Sequence, residues 1–336
     1  LRGVPVKPED VNPGSLLTQA AVHHGVVVPL YRACRLGGAE NGVESLAAVA
    51  SNRRASALRI SHWSIVASNW LTEAAVPHAI VKGPAVATAY PDADREFMDL
   101  DILVAPASMY EAIDVMKRQG ASALEDASWP RDDGYLQLAF GLPSGVTVEL
   151  HADLAHTDDV RRDFDFQPEV LLSRTTTVAV LGHELPALDP EDTIIHVAFH
   201  AMLSGGDRLV WLADLDALVR HTELGWTVLI ERARGAKLAL VLGVMLQRAA
   251  IVLDTPVPPD AMQELLRRGM LWSRLLVDFE RRRPTAANFD RKLRGQVLIR
   301  STRDSTATSL RKLARLLWTD VILFVVTDRR HPWRRR

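Results

Sequence analysis

The stretch REFMDLDILV, residues 95–104, sets two aspartates two positions apart inside an apolar run. Alternate residues of a strand project to the same face. Read as a strand, the stretch puts Asp99 and Asp101 side by side on one face and turns Leu100 and Ile102 into a core on the other. Two carboxylates so close repel each other. A divalent cation between them relieves the repulsion. Carboxylate oxygens are natural ligands of Mg²⁺, which also keeps waters and takes phosphate oxygens. A half-exposed strand would carry the same two acids without any ion, and this stretch alone does not separate the two readings.

Its neighbours do more. In VTVELH, residues 146–151, Val146, Val148 and Leu150 share one face, while Thr147, Glu149 and His151 share the other. Glu149 is thus a third acid with the same alternation, and three acids on adjacent strands can hold two divalent ions. Upstream, IVKGPA sets Lys82 and Gly83 at a strand-to-helix turn. Such a turn offers backbone N–H groups to a phosphate, and Lys82 adds positive charge. Lysine is scarce here, 6 residues against 34 arginines, which makes Lys82 stand out.

Around these motifs the texture changes twice. Apolar residues recur at three- and four-residue spacing over 15–36 and 44–75, which predicts two long helices. HAIVKGP then reads as a short strand ending in a glycine turn, ATAYPDAD as a loop or short helical turn, and FMDLDILV as a strand. ASMYEAIDVMKRQG is an amphipathic helix entered after Pro106 and stopped at Gly120. YLQLAF, GLPSG and VTVELH form a hairpin, and TTTVAVLGHELPAL forms a second one turning at Gly182-His183. From Asp189 on, the pattern is helical: Asp189 caps a helix with Pro190 at its first position. Further helices are expected at 207–223, 226–234, 237–253, 261–283, 289–303 and 307–327. The expected fold is α+β, with a mixed sheet at its centre. Its expected divisions are an N-terminal helical region (1–76), a catalytic core (77–188) and a helical C-terminal domain (189–336).

Composition narrows the function classes. The 336 residues are 48% hydrophobic and 24% charged, as in ordinary globular proteins. The single cysteine, Cys34, excludes an internal disulfide framework. With no secretory signal pattern, a cytoplasmic setting is expected. No run approaches the ~18 consecutive apolar residues of a membrane span. The net charge of −1 is unevenly spread: residues 261–336 carry 19 Lys/Arg against 7 Asp/Glu, and residues 1–260 carry 21 against 34. The basic segment reads as solvated arginine-rich helix faces or as a surface for phosphates, of a nucleotide or a nucleic acid.

Strand and glycine turn, then Asp-x-Asp on the next strand, then one acid on a later strand resembles the pattern of the DNA polymerase β-like nucleotidyltransferase superfamily. More narrowly, VKGPAVATAYPDADREFMDLDILV, VTVELHADL, LDPEDTIIHVAFHA and RLVWLADLDALV together resemble the bacterial uncharacterised nucleotidyltransferase family, over about residues 15–255. That family carries a Lys-Gly turn, an arginine shortly before Asp-x-Asp and a histidine-rich helix in its helical half. The resemblance implies two Mg²⁺ ions, or Mn²⁺, held by Asp99, Asp101 and Glu149. It implies an NTP, ATP foremost, bound near Lys82, Gly83 and Arg95, and transfer of its NMP to a small-molecule or peptide acceptor. Glu149 could serve as the base, and a role in tailoring natural products fits the family. One departure stands out. The superfamily's usual glycine motif has a donor after its first glycine, and here Pro84 follows Gly83 and has no N–H.

Other residues carry weaker signals. His196 and His200 are four apart on one helix face, a zinc-compatible spacing that lacks partner cysteines and the glutamate of zinc proteases; they read mainly as core or hydrogen-bonded histidines. His151 is positioned to orient Glu149 or meet the substrate, with Asp153 close behind. His200 and Arg208 are candidates for the acceptor side, and Arg208 with Asp214 reads as a buried ion pair or as acceptor-pocket lining. For Arg95, the alternative to a phosphate contact is an ion pair with one of the two aspartates. No Walker loop, dinucleotide fingerprint or serine-hydrolase elbow is present. Two rival readings remain: a catalytically inactive binding protein of this fold, and a nucleotidyltransferase acting on RNA through the basic segment.

Overall fold

The computed structural model describes residues 16–37, 43–92, 94–124, 129–130, 134–204, 206 and 208–267. The chain enters through helices α1 (Leu16–His24), α2 (Val27–Leu36) and α3 (Glu44–Glu73). The helix predicted over 15–36 is therefore two helices, broken at Gly25. Its backbone there has φ +66°, and a β-carbon would meet the guanidinium of Arg208 at 3.2 Å. Strand β1 (His78–Ile80) leads into the short helix α4 (Pro84–Ala87) and on to β2 (Leu100–Val104) and α5 (Met109–Arg118). Next come β3 (Ser122–Ala123), the hairpin β4 (Gln137–Gly141) and β5 (Thr147–His151), and the short helices α6 (Asp158–Arg161) and α7 (Pro168–Ser173). The second hairpin is β6 (Thr176–Val180) and β7 (His183–Ala187). Helices α8 (Pro190–Leu203), α9 (Leu209–His221), α10 (Trp226–Gly235), α11 (Ala239–Leu253) and α12 (Pro259–Leu266) complete the order. The expected helices 289–303 and 307–327, most of 261–283 and most of the basic segment lie outside the described residues.

The fold is α+β, built on one seven-stranded sheet in the order β3-β4-β5-β2-β1-β7-β6. β2 runs parallel to β5, and β1 runs parallel to β7; the other neighbours are antiparallel. Every residue of β2 is buried, because helices cover both faces of the sheet at its centre. Leu100, Ile102 and Val104 pack with Val148, Leu150 and residues of α3 and α5. Leu103 belongs to the opposite layer, with α8, α9 and α11. The alternation thus turns Asp101 toward the C-terminal helices.

One expectation of length is corrected. β2 begins at Leu100 rather than at Phe97. The residues before it are drawn to partners off the sheet: Glu96 accepts the Val28 N–H at 2.8 Å, and Arg95 reaches α9. The predicted cap of α8 forms as read, with the Asp189 carboxylate accepting the Asp192 N–H at 2.9 Å. No helix among the described residues is long and apolar enough to cross a membrane.

Candidate active site

The parallel register of β2 and β5 sets Asp101 directly opposite Glu149, and Leu103 opposite His151. Asp101, Glu149 and His151 therefore share one face, and one ligand atom from each lies within 4.8 Å of the others. Among the described residues, this is the one group of three or more such side chains close enough to share an ion. Asp101 is 1% exposed. Its Oδ1 accepts a hydrogen bond from His151 Nε2 at 2.9 Å and stands 3.1 Å from Lys82 Nζ. Its Oδ2 is buried with no hydrogen-bond partner. A buried acceptor left unmade costs about 1–3 kcal/mol, more for a charged group. A donor or cation at that oxygen would offset the cost. Glu149 is held from the side: Gln137 Nε2 donates to its Oε2 at 2.9 Å, and His151 Nε2 is 3.6 Å from the same oxygen.

The electrostatics separate the three acids. Burial pushes Asp101 up, but the ammonium of Lys82 and the hydrogen bond from His151 outweigh it and hold the carboxyl well below its usual range. Glu149 and Asp99 are raised, first by burial and then by repulsion from Asp101. So the site carries one firmly ionised carboxylate flanked by two that pay a desolvation and repulsion penalty for their charge, which a cation would remove. Asp99 lines the cleft beside Asp101 but stands outside the tight trio.

α8 packs over this face with its histidines inward. His200 Nδ1 lies 3.4 Å from Lys82 Nζ and so accepts, and His196 Nδ1 donates to the Val81 carbonyl at 3.3 Å. Burial, followed by Lys82, lowers both imidazoles, His196 to about 3. His156, 3.3 Å from the Nδ1 of His151, is also lowered to about 3 by burial and then by that neighbour. These are neutral imidazoles with separate partners, and among the described residues no third ligand joins His196 and His200, so nothing supports zinc there.

Lys82 and Gly83 sit at the turn between β1 and α4. Gly83 has φ +53°, and a β-carbon there would meet the Asp99 carbonyl at 3.4 Å, so the turn lies against the backbone that carries the acids. Pro84 is the first residue of α4 and gives no N–H. Arg95 is engaged elsewhere than expected. Its Nε and Nη2 donate to Asp214 at 2.7 and 2.8 Å, Tyr90 donates to the same carboxylate at 2.7 Å, and Nη1 donates to the Gly83 carbonyl at 3.4 Å. The partner of Arg95 is thus Asp214, not Asp99 or Asp101. By the same finding, the expected pairing of Arg208 with Asp214 does not occur. Arg208 instead stands at the N-terminus of α9, donates to the His23 carbonyl at 2.8 Å and lies over the Trp211 ring. Asp153 accepts the Ala155 N–H at 2.8 Å and does not line the cleft.

Above Asp99 and Asp101 opens a cleft of about 410 Å³, and Glu149 and His151 lie behind its lining. Lys82, Gly83, Arg95, Asp99, Asp101, His200 and Arg208 of the expected site residues line it. Sequence reasoning missed Arg53, Phe97 and Trp211 in the same wall, and Gln137 behind Glu149. No spacing rule finds them, since they come from α3, the irregular approach to β2, α9 and β4.

A mixed sheet that aligns acids on neighbouring strands beside a Lys-Gly turn has the layout of a nucleotidyl-transfer enzyme. The chain belongs to the uncharacterised nucleotidyltransferase family, whose model matches residues 12–254. Three solved structures are similar. The first is an antigenic nucleotidyltransferase-like protein from Paracoccidioides brasiliensis, 15% identical, covering 62% of this chain and 93% of that one with a TM-score of 0.40. The second is the lincosamide antibiotic adenylyltransferase LnuA with lincomycin bound, at 17%, 48%, 96% and 0.34. The third is the antibiotic-resistance factor ANT(2'')-Ia, at 12%, 67%, 96% and 0.32. Likenesses this distant transfer no substrate. No curated protein matches the sequence.

Proposed function

We propose that the protein transfers a nucleoside monophosphate from an NTP, ATP foremost, to a small-molecule or peptide acceptor in the cleft above Asp101. The observation that carries this reading is the buried, unpartnered Oδ2 of Asp101, on a strand that sets this residue opposite Glu149. Asp99, Asp101 and Glu149 would hold Mg²⁺ or Mn²⁺, and an oxygen-rich set with one orphaned carboxylate oxygen fits a hard divalent ion. Such an ion, when bound, lowers the pKa of an acceptor hydroxyl and offsets the charge of the triphosphate. His151 fixes Asp101 through Oδ1 and leaves Oδ2 to the ligand. Glu149, oriented by Gln137, takes the acceptor's proton. The acceptor oxygen then bonds to the α-phosphorus as the bond to the β-phosphate breaks and pyrophosphate leaves. Lys82 serves the phosphates once the incoming charges compete for its contact with Asp101. Residues 77–188 are the catalytic unit in this reading, with 1–76 and 189–336 as its helical flanks. The single buried cysteine accords with a cytoplasmic setting. Natural-product tailoring is the family-level guess for the acceptor.

The test is a screen of the four NTPs, each labelled at the α-phosphate, with Mg²⁺ or Mn²⁺ against cell extracts and candidate acceptors. Label should appear in a new product only when the divalent ion is present. One observation favours a second reading, a catalytically silent binding protein: the Lys82 ammonium already compensates Asp101 from 3.1 Å. In that case NTP and Mg²⁺ would give neither product nor a thermal shift, since a ligand specific to the native state must raise its melting temperature. The RNA-acting reading rests on the basic segment outside the described residues and has no support from the cleft.

A further inference from the structure

The cleft carries four cationic and four anionic side chains, but they are not evenly matched. Lys82 is taken by Asp101, and Arg95 by Asp214. That leaves Arg53 of α3 and Arg208 at the start of α9. Of the two remaining acids, Asp99 feels the charges of Lys82 and Arg95, and Glu96 serves both arginines. Glu96 Oε2 stands 3.6 Å from Arg53 Nε, and Glu96 Oε1 is already occupied by the Val28 N–H at 2.8 Å. Burial lowers the Arg208 guanidinium, Glu96 raises it, and Arg53 lowers it again, so the two cations feel each other. Arg208 is not loose. Its Nε is fixed on the His23 carbonyl, its guanidinium carbon is 5.5 Å from the Trp211 ring centroid, and Nη2 packs where Gly25 has no side chain. Among the described residues, neither Nη atom of Arg208 has a hydrogen-bond partner. Two guanidinium groups brought to one cavity with a single shared acid raise the energy of the site unless an anion completes it.

We infer that Arg53 and Arg208 form an anion-binding end of the cleft that takes a phosphate group of the substrate. Planar guanidinium forks suit phosphate, and charge-assisted bonds to it are among the strongest available. The neighbouring turn gives an independent reason: with Pro84 it lacks a donor, and Arg95 is committed to Asp214. The inference deepens the nucleotidyl-transfer reading and rests on the cleft being the substrate's. The phosphate is either the tail of the NTP or an anionic group on the acceptor.

Inorganic tripolyphosphate, titrated calorimetrically without metal at low salt, reads the arginine pair directly. Wild type should bind it, and Arg53→Gln and Arg208→Gln should each weaken binding by about tenfold. Arg208→Lys should recover part of the loss. If saturating ATP displaces tripolyphosphate, the pair serves the tail of the NTP. If both bind together, it serves an anion on the acceptor. The inference is overturned if wild type does not bind tripolyphosphate, or if Arg53→Gln, with a normal melting curve, binds it as wild type does. Arg53 is partly exposed on its helix, so that variant should fold even if Arg208→Gln does not. Asp101→Asn separates the two ideas, since it should lose turnover and keep tripolyphosphate. Absence of turnover in wild type would count against nucleotidyl transfer and leave the titration valid.

Discussion

Two buried acid–base pairs lie close together in this protein and are built differently. Asp214 is closed: Oδ1 accepts from Arg95 and Tyr90, and Oδ2 accepts from the second arm of the same guanidinium. Asp101 is open: Oδ1 meets both His151 and Lys82, and Oδ2 meets nothing. Burial is almost the same, at 1% exposure for each. What differs is the use of the lone pairs. A carboxylate with both oxygens partnered holds α9 to the approach of β2. One with an unpartnered oxygen leaves an acceptor open. Counting unmet acceptors thus distinguishes the two pairs where burial and charge do not.

The largest effect that would test this contrast is on the open acid. Asp101→Asn should reduce label transfer by about 10³-fold or more, the scale of losing one electrostatic component of a transfer site. Chelating divalent ions should do the same. Full turnover in either case would break the distinction. Next comes the closed pair. Arg95→Leu should cost about 3–5 kcal/mol of stability by denaturant titration, because it leaves Asp214 buried and unpaired, while the double variant Arg95→Leu/Asp214→Leu should regain much of it. A single variant as stable as wild type would show that Asp214 does not need its partner. Smaller again, Gln137→Leu removes the donor that orients Glu149 and should slow turnover by about tenfold at nearly unchanged melting temperature.

The smallest effect concerns pH. Burial, and then Asp101, hold the Asp99 carboxyl above its ordinary value in the folded protein. The folded state therefore binds that proton more tightly than the unfolded chain does. The stabilisation Asp99 gives is complete below the unfolded value of about 4 and is lost as pH rises through the raised value. Asp99→Asn escapes that loss. Its melting temperature should match wild type near pH 4 and exceed it increasingly toward pH 7. A difference that does not change with pH would mean that Asp99 is better compensated than its surroundings indicate. Asp101→Asn should show no such gain, since the removed charge strands Lys82.

Much of this arrangement was legible in the sequence, for a definite reason. Period-two alternation in REFMDLDILV and VTVELH groups Asp99, Asp101 and Glu149 and puts His151 on the face of Glu149; the structure keeps Asp101, Glu149 and His151 together and leaves Asp99 ahead of β2. Turn chemistry located both hairpins, and Asp189 announced α8. What alternation cannot say is which helix covers that face. The partner of Arg95 lies 119 residues away, and the neighbour of Lys82 on α8 lies 118 away. Arg208 was matched to the nearest suitable acid in sequence, and geometry gave that acid to Arg95. The premature start assigned to β2 has the same origin: Phe97 and Met98 have strand-like character, but Arg95 and Glu96 are tied to helices on either side.

The bond from Arg208 to the His23 carbonyl joins residues 185 apart and closes one wall of the cleft. Its consequence lies in time. Domains take shape from the N-terminus as the chain is synthesised, and a loop that long is costly to close early. The strands bearing Asp101 and Glu149 are complete by residue 151, well before residue 208 has been made. Until residue 208 is made, the Arg208–His23 bond that closes this wall of the cleft cannot form. The wall is closed only when α9 reaches back to α1.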